Sequence, residues 1–205
     1  TYFVKAIRPE VDKSILESIN KLYYRDHITV NLIVNQENIF PDQWIYVHSE
    51  SVKIARLANY NNFSKEMVRD KGTSAISVEY FTFKSDDIWK LDDKALIELA
   101  KNELIELKLV SRGSMGNGWV IRELDSYPSY FVGYEKYFEP IKRLFNEFTN
   151  CTAVGRGGMY RYNNMDHSLY TGLLAGYNLT KSKNKPYNIW NVNIDAEYHE
   201  SSIRS

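Results

Sequence analysis

Only one cysteine, Cys151, occurs in 205 residues, so an internal disulfide is excluded. No apolar stretch approaches the roughly 20 residues that a spanning helix needs. The short apolar run at 2–7 has neither a basic leader nor a small-residue cleavage site, so it is not read as a signal peptide. These absences predict a chain of the cytoplasm. Charge of one sign is also missing as an excess, since 26 Lys and Arg face 26 Asp and Glu and none gather into a long run. Without a basic field the chain is not expected to collect nucleic acid or an anionic membrane, which leaves neutral partners or a local site. Metal ligation is poorly served, because His27, His48, His167 and His199 are scattered and Cys151 has no second cysteine nearby. No G-x-S-x-G elbow occurs, and Asp166, His167 and Ser168 are neighbours in sequence, which is not how hydrolytic triads assemble. Internal repeats and low-complexity tracts are absent.

What is present is 43% apolar residues, enough to bury a core and to exclude disorder. The chain opens on Thr1 and enters at once a strand-like run, so an N-terminal portion is expected upstream. Residues 10–23 place Val11, Ile15, Ile19, Leu22 and Tyr23 at helical spacing, with Pro9 where a first turn tolerates it. Short β-branched and aromatic runs follow at 27–34, 44–48, 53–58 and 75–83, divided by Asn, Pro, Asp and Gly clusters. Alternation such as Ser77, Val78, Glu79, Tyr80 predicts one wet face, hence an antiparallel or mixed sheet. A second helix is predicted at 91–107, where Leu96, Leu99, Ala100, Leu104 and Leu107 share a face and Asp92 and Asp93 suit the helix dipole. A glycine-rich turn at 113–118 is expected to end it, followed by a strand at 119–124, an extended stretch at 127–131 and a third helix at 134–148. A short strand at 151–154 and a last helix at 169–179 complete the pattern. The tail from 181 is polar, with isolated Ile189, Trp190, Val192 and Ile194, and by itself reads as unstructured. The fold class is therefore α+β, with residues 1–126 as a sheet domain with flanking helices and 127–205 as a second piece.

The segment richest in chemistry is 154–176, VGRGGMYRYNNMDHSLYTGLLAG. Three glycines permit close backbone approach, two tyrosines follow, and a helix opens at Asp166 or Ser168, residues suited to its N-cap. Its N-terminus offers unpaired N–H groups and about half a positive charge, so anionic groups belong there. Gly172 and Gly176 leave one face of that helix bare, for close packing or for a flat ring. Trp44, Tyr46, Trp89 and Tyr130 would serve a free-standing binding module that grips a sugar or a protein.

The string from Gly155 and Arg156 through Tyr160, Arg161, Tyr162, Asn164 and Met165 to Asp166 resembles the G-R-x-x-x-Y-[KR]-Y-x-[ND]-M-D motif of UDP-galactopyranose mutases. GMYRYNNMDHS is still more similar to related FAD-dependent proteins of the amine oxidase or protoporphyrinogen oxidase-like group. YRDHITVNLIV at 24–34, FPDQWIYVHS at 40–49 and NIWNVNIDAEYHE at 188–200 resemble the same group. The resemblance implies FAD, a sheet-based substrate domain at 1–126, and 127–205 as the returning piece of a split, glutathione-reductase-like FAD domain. It further implies that Gly155 and Arg156 lie beside the flavin, that Met165, Asp166 and His167 present backbone to its pyrimidine end, and that Tyr160 and Tyr162 line a substrate pocket. A core aromatic with a bonded hydroxyl is the competing role for either tyrosine. The dinucleotide fingerprint G-x-G-x-x-G is absent, since Gly116 and Gly118 lead to Ile121, and Gly155 and Gly157 to Tyr160. The expected partner is accordingly a Rossmann half of the same protein, and a fragment without it would expose apolar surface and could form a homodimer. The reaction implied is hydride transfer from a small molecule to flavin N5, with isomerisation of a sugar nucleotide as the alternative. Arg25, Arg56, Arg122 and Arg161 are candidates for gripping a diphosphate.

Overall fold

The computed structural model describes residues 2–8, 10–180 and 187–193. Pro9, Ile194, His199 and the tail match beyond 193 lie outside them. The elements are α1 (Tyr2–Ala6), α2 (Lys13–Lys21), β1 (Tyr24–Val34), β2 (Trp44–Tyr46), β3 (Arg56–Asn59), α3 (Tyr60–Phe63), β4 (Ser74–Thr82), α4 (Asp87–Lys90), α5 (Asp93–Glu106), β5 (Met115–Pro128), α6 (Glu135–Glu147), α7 (Gly155–Met159) and α8 (Met165–Thr180). The chain divides into two compact units, residues 25–126 and residues 1–24 with 127–205.

The 25–126 unit is a five-stranded sheet in the order β2-β3-β4-β1-β5, with β1–β4, β3–β4 and β2–β3 all antiparallel. Alternation sends Ile28, Val30, Leu32, Leu57, Ile76, Val78 and Tyr80 to one face, where they are buried with Leu96, Ala100 and Leu104 of α5. Asp92 caps α5, its carboxylate accepting the Ala95 N–H at 2.8 Å. Glu103 is buried among these apolar groups, and its two oxygens accept from the Tyr80 hydroxyl and the Lys53 N–H at 2.9 and 2.7 Å. Burial, then the Glu103 charge beside it, pushes the Tyr80 phenol far above its ordinary range.

The turn predicted at 113–118 is shorter, because β5 already begins at Met115. Gly116 and Gly118 serve as points of close strand contact: a Cβ at 116 would lie 2.7 Å from the Ile33 carbonyl oxygen, and one at 118 would lie 2.9 Å from that of Asn31.

In the other unit, Val4, Ile19, Leu22, Ile141 and Tyr160 form a core, with Val11, Ile15, Phe138 and Phe145 packed around it. The strand-like start is helix α1, whose Val4 is buried in that core. Residues 151–154 carry no strand, and the following glycines form the short helix α7. The tail is not wholly unstructured: Ile189 and Val192 are buried against Leu174 of α8. Burial of three apolar groups outweighs a polar composition there.

Candidate functional site

Two candidate surfaces emerge, one in each unit. On the sheet of the 25–126 unit, the side opposite α5 carries polar and aromatic groups in cross-strand rows. Tyr46 faces Arg56, Arg56 faces Glu79 and Glu79 faces Thr29, while the next row runs Trp44, Ala58, Ser77, Asn31. Three donors converge on one oxygen of Glu79: His27 Nε2 at 3.0 Å, Arg56 Nε at 2.9 Å and Arg56 Nη2 at 2.5 Å. With a carboxylate as the acceptor, His27 Nε2 is the donor of this bond. Burial pushes the Glu79 carboxyl up, but the hydrogen bonds from His27 and Arg56 and their charges outweigh it, so it titrates below its ordinary value.

Aromatic rings enclose this ion pair. His27 stacks on Phe81 at 5.3 Å, and the Arg56 guanidinium lies 5.7 Å from the Phe81 centroid and 6.0 Å from those of Trp44 and Tyr46. Trp44 and Tyr46 meet edge to face at 5.0 Å and remain exposed. Ser77 continues the polar row, donating to Asn31 Oδ1 at 3.2 Å with the Tyr60 hydroxyl 2.5 Å away. A charged, hydrogen-bonded floor beside exposed rings is suited to a polar ring such as a sugar. The sequence singles out Arg56, Trp44 and Tyr46 but not Glu79, His27 or Asn31 as site residues. The available signal is the polar alternate positions of strands whose other positions are all apolar.

In the second unit, Gly155 takes a positive φ of 72°, and its N–H donates to Thr171 Oγ1 at 3.0 Å. Arg156 follows at once. Its Nε donates to the Asn163 carbonyl at 2.8 Å and its guanidinium lies 4.7 Å from the Tyr127 ring centroid. Its terminal NH2 groups carry no hydrogen bond within the described residues. Tyr160 ends α7 in the left-handed conformation at φ 49° and is buried, its one hydroxyl proton shared between the carbonyls of Tyr23 and Ser129 at 2.9 and 2.8 Å. Burial pushes its phenol up to about 12. It also borders a cavity of about 100 Å³ shared with Phe3, Leu22, Phe138 and Ile141. Tyr162 is exposed, edge-on to Tyr130 at 4.9 Å.

Helix α8 begins at Met165, one residue ahead of Asp166 and three ahead of Ser168, so both predicted N-cap residues lie inside it. Asn164 precedes it, its carbonyl accepting the Ser168 N–H at 2.9 Å, while His167 Nδ1 reaches back to the Asn164 N–H at 3.3 Å. The reach of the His167 side chain back to the Asn164 N–H is one half of a capping box. Asp166 stands exposed in the first turn, where the dipole favours it, and Met165 is exposed. A Cβ placed on Gly172 or Gly176 would meet nothing within 4 Å, so the face they leave bare is open. Of the other arginines, Arg122 pairs with Asp93, Arg161 donates to the carbonyls of Trp190 and Val192, and Arg25 lies over Phe83. Trp89 is half-buried in the sheet unit's core.

Among the described residues no cluster of three metal-ligating side chains and no helix long and apolar enough to cross a membrane occurs. No family model matches the chain, and no curated protein matches it. Solved structures do. A reduced UDP-galactopyranose mutase aligns with 86% of this chain at 20% identity and a TM-score of 0.70. A protein named as a protoporphyrinogen oxidase from Exiguobacterium sp. 255-15 aligns with 76% at 14% identity and a TM-score of 0.60. What is shared is the fold. The chain spans 38% and 34% of the length of those two proteins, so it is similar to a part of each.

Proposed function

We propose that this chain carries the substrate-side sheet and the returning cofactor-side segment of an FAD-dependent oxidoreductase of the amine oxidase and protoporphyrinogen oxidase-like group. The observation that carries the reading is Arg156: a guanidinium with Nε already bonded, an aromatic ring beneath it, and outer NH2 groups without a partner among the described residues. Such a group is a preorganised donor for an anionic ligand. With the start of α8 it fits the negative charge that reduced flavin gathers near N1 and the C2 carbonyl. The donor set fits one end of FAD only. No glycine-rich loop of the dinucleotide type is present for the pyrophosphate, and the partner this reading requires is a Rossmann unit that supplies one.

When bound, FAD supplies hydride acceptance at N5. The chain's own residues bind and orient. Glu79, buried and fixed by Arg56 and His27, stays ionised beneath the sheet's polar face, where Trp44 and Tyr46 offer exposed ring faces. Arg156 and the backbone of Met165, Asp166 and His167 face the cofactor, and Tyr162 faces the substrate. Tyr160, held by two carbonyls, supports the motif from beneath.

The test is the absorbance spectrum from about 350 to 500 nm of this chain and of the product of its complete reading frame, purified in parallel. A yellow complete product whose colour is lost in Arg156→Ala is expected. Two colourless proteins, even after addition of FAD, would end the flavin reading. A sugar-nucleotide mutase is favoured by one observation, the more extensive fold likeness to that enzyme. Conversion of a sugar nucleotide to its isomer without consumption of an electron acceptor distinguishes it.

A further inference from the structure

We infer that Asn163 and Asn193 are positioning residues for Arg156, so that the C-terminal strap at 187–193 sets how this arginine is presented. The inference rests on the reading of Arg156 as a donor to an anionic ligand, but its geometry stands apart from any cofactor. Asn163 occupies the position that the motif leaves unspecified, yet it is almost wholly buried, at 1% exposure. A buried amide must be bonded, and the side-chain oxygen, the side-chain nitrogen and the main-chain carbonyl of Asn163 each have a partner. Oδ1 accepts from Asn193 Nδ2 at 3.0 Å, Nδ2 lies 3.7 Å from Met159 Sδ, and the main-chain carbonyl accepts from Arg156 Nε at 2.8 Å. The side chain therefore orients the carbonyl, and the carbonyl orients the guanidinium.

Asn193 is in turn fixed to the motif. It sits at φ 57°, a conformation asparagine tolerates better than most residues, and its amide also lies 3.4 Å from the Tyr162 carbonyl. Arg161 donates to the Trp190 and Val192 carbonyls at 2.8 Å each, while Ile189 and Val192 are buried against Leu174. Trp190 packs edge-on against Phe138 at 5.9 Å. The two motif arginines thus divide the work. Arg161 ties down the strap, and the strap, through Asn193 and Asn163, holds Arg156. A guanidinium presented in one orientation spends less side-chain entropy on binding than a freely rotating one.

The experiment reads the Arg156 Nε–H directly by nitrogen-15 NMR on the 205-residue chain, with the resonance identified by its loss in Arg156→Lys. Asn193→Gly keeps the backbone conformation and removes the amide; it should speed exchange of this proton with water about tenfold, the scale of one lost hydrogen bond. Asn163→Leu should do the same, whereas Asn163→Asp retains an acceptor for Asn193 and should stay within about twofold of the parent. Val4→Ala weakens the same unit by cutting into its core at α1 and should leave the rate unchanged. An unaltered rate in both Asn193→Gly and Asn163→Leu overturns the proposal, as does equal acceleration by Val4→Ala, which would make the signal a report of general loosening. No flavin is present in this measurement, so a failed flavin reading does not alter its outcomes.

Discussion

Glu79 carries the densest set of charged contacts on the sheet, and its effect on stability has a definite sign. Its carboxyl titrates below the ordinary 4.5 because the bonds from His27 and Arg56, with their charges, outweigh the cost of burial. A folded-state value below the unfolded one stabilises above the unfolded value and loses that contribution as pH falls through the folded one. The urea midpoint should therefore fall steadily as pH drops below 4.5, and Glu79→Gln should lower the neutral-pH midpoint and flatten that acid limb. Parallel acid limbs in the two proteins would refute this assignment. Glu79 was not legible as a site residue from sequence, since a glutamate in a strand reads as a solvated position. Only the register that sets Arg56 opposite it, and His27 on the strand beyond, turns it into a centre of three donors. Arg156 differs, because its motif was readable but its ring partner Tyr127 and its carbonyl partner Asn163 were not.

At the scale of elements, amphipathic spacing located α2, α5 and α6 well, since each buries a stripe that sequence displays. Glycine was harder to interpret. A run with glycines at 113, 116 and 118 reads as a turn, whereas two of these glycines lie inside β5 against the backbone of β1. Gly118→Ala would force a Cβ to within 2.6 Å of Leu32 Cδ2 and 2.9 Å of the Asn31 carbonyl oxygen. The strand must move or bend, at a cost of about 1–3 kcal/mol in chemical denaturation. Gly113→Ala meets nothing within 4 Å and serves as the control. Equal midpoints for both variants would show that β5 accommodates the methyl group. Polarity misled at 187–193 for a related reason: two buried side chains and a few carbonyl contacts suffice to hold seven residues, and neither leaves a periodic trace.

For the molecule as a whole, α8 is the unusual element. It leaves Met165, Leu169, Leu173 and Leu179 exposed beside the open Gly172 and Gly176, an apolar helix face rarely left in water. Under the proposed function a Rossmann partner covers it. The chain alone should associate as its concentration rises, and the pair Leu169→Lys and Leu173→Lys should shift its sedimentation toward the monomer while leaving its circular dichroism unchanged. An unaltered distribution would place any association elsewhere. What the sequence by itself determined was the α+β class, the positions of most helices and strands, the exclusion of a disulfide within these 205 residues, and a motif rich in chemistry. Those follow from periodicity, composition and short-range spacing. Tertiary structure alone decided the grouping of residues 1–24 with 127–205, the ion pair of Glu79 with Arg56 and His27, and the linkage of Asn193 through Asn163 to Arg156. The physical reason is that each depends on strand register or on contacts across many residues, and the energy of a hydrogen bond resides in a geometry that no local pattern encodes.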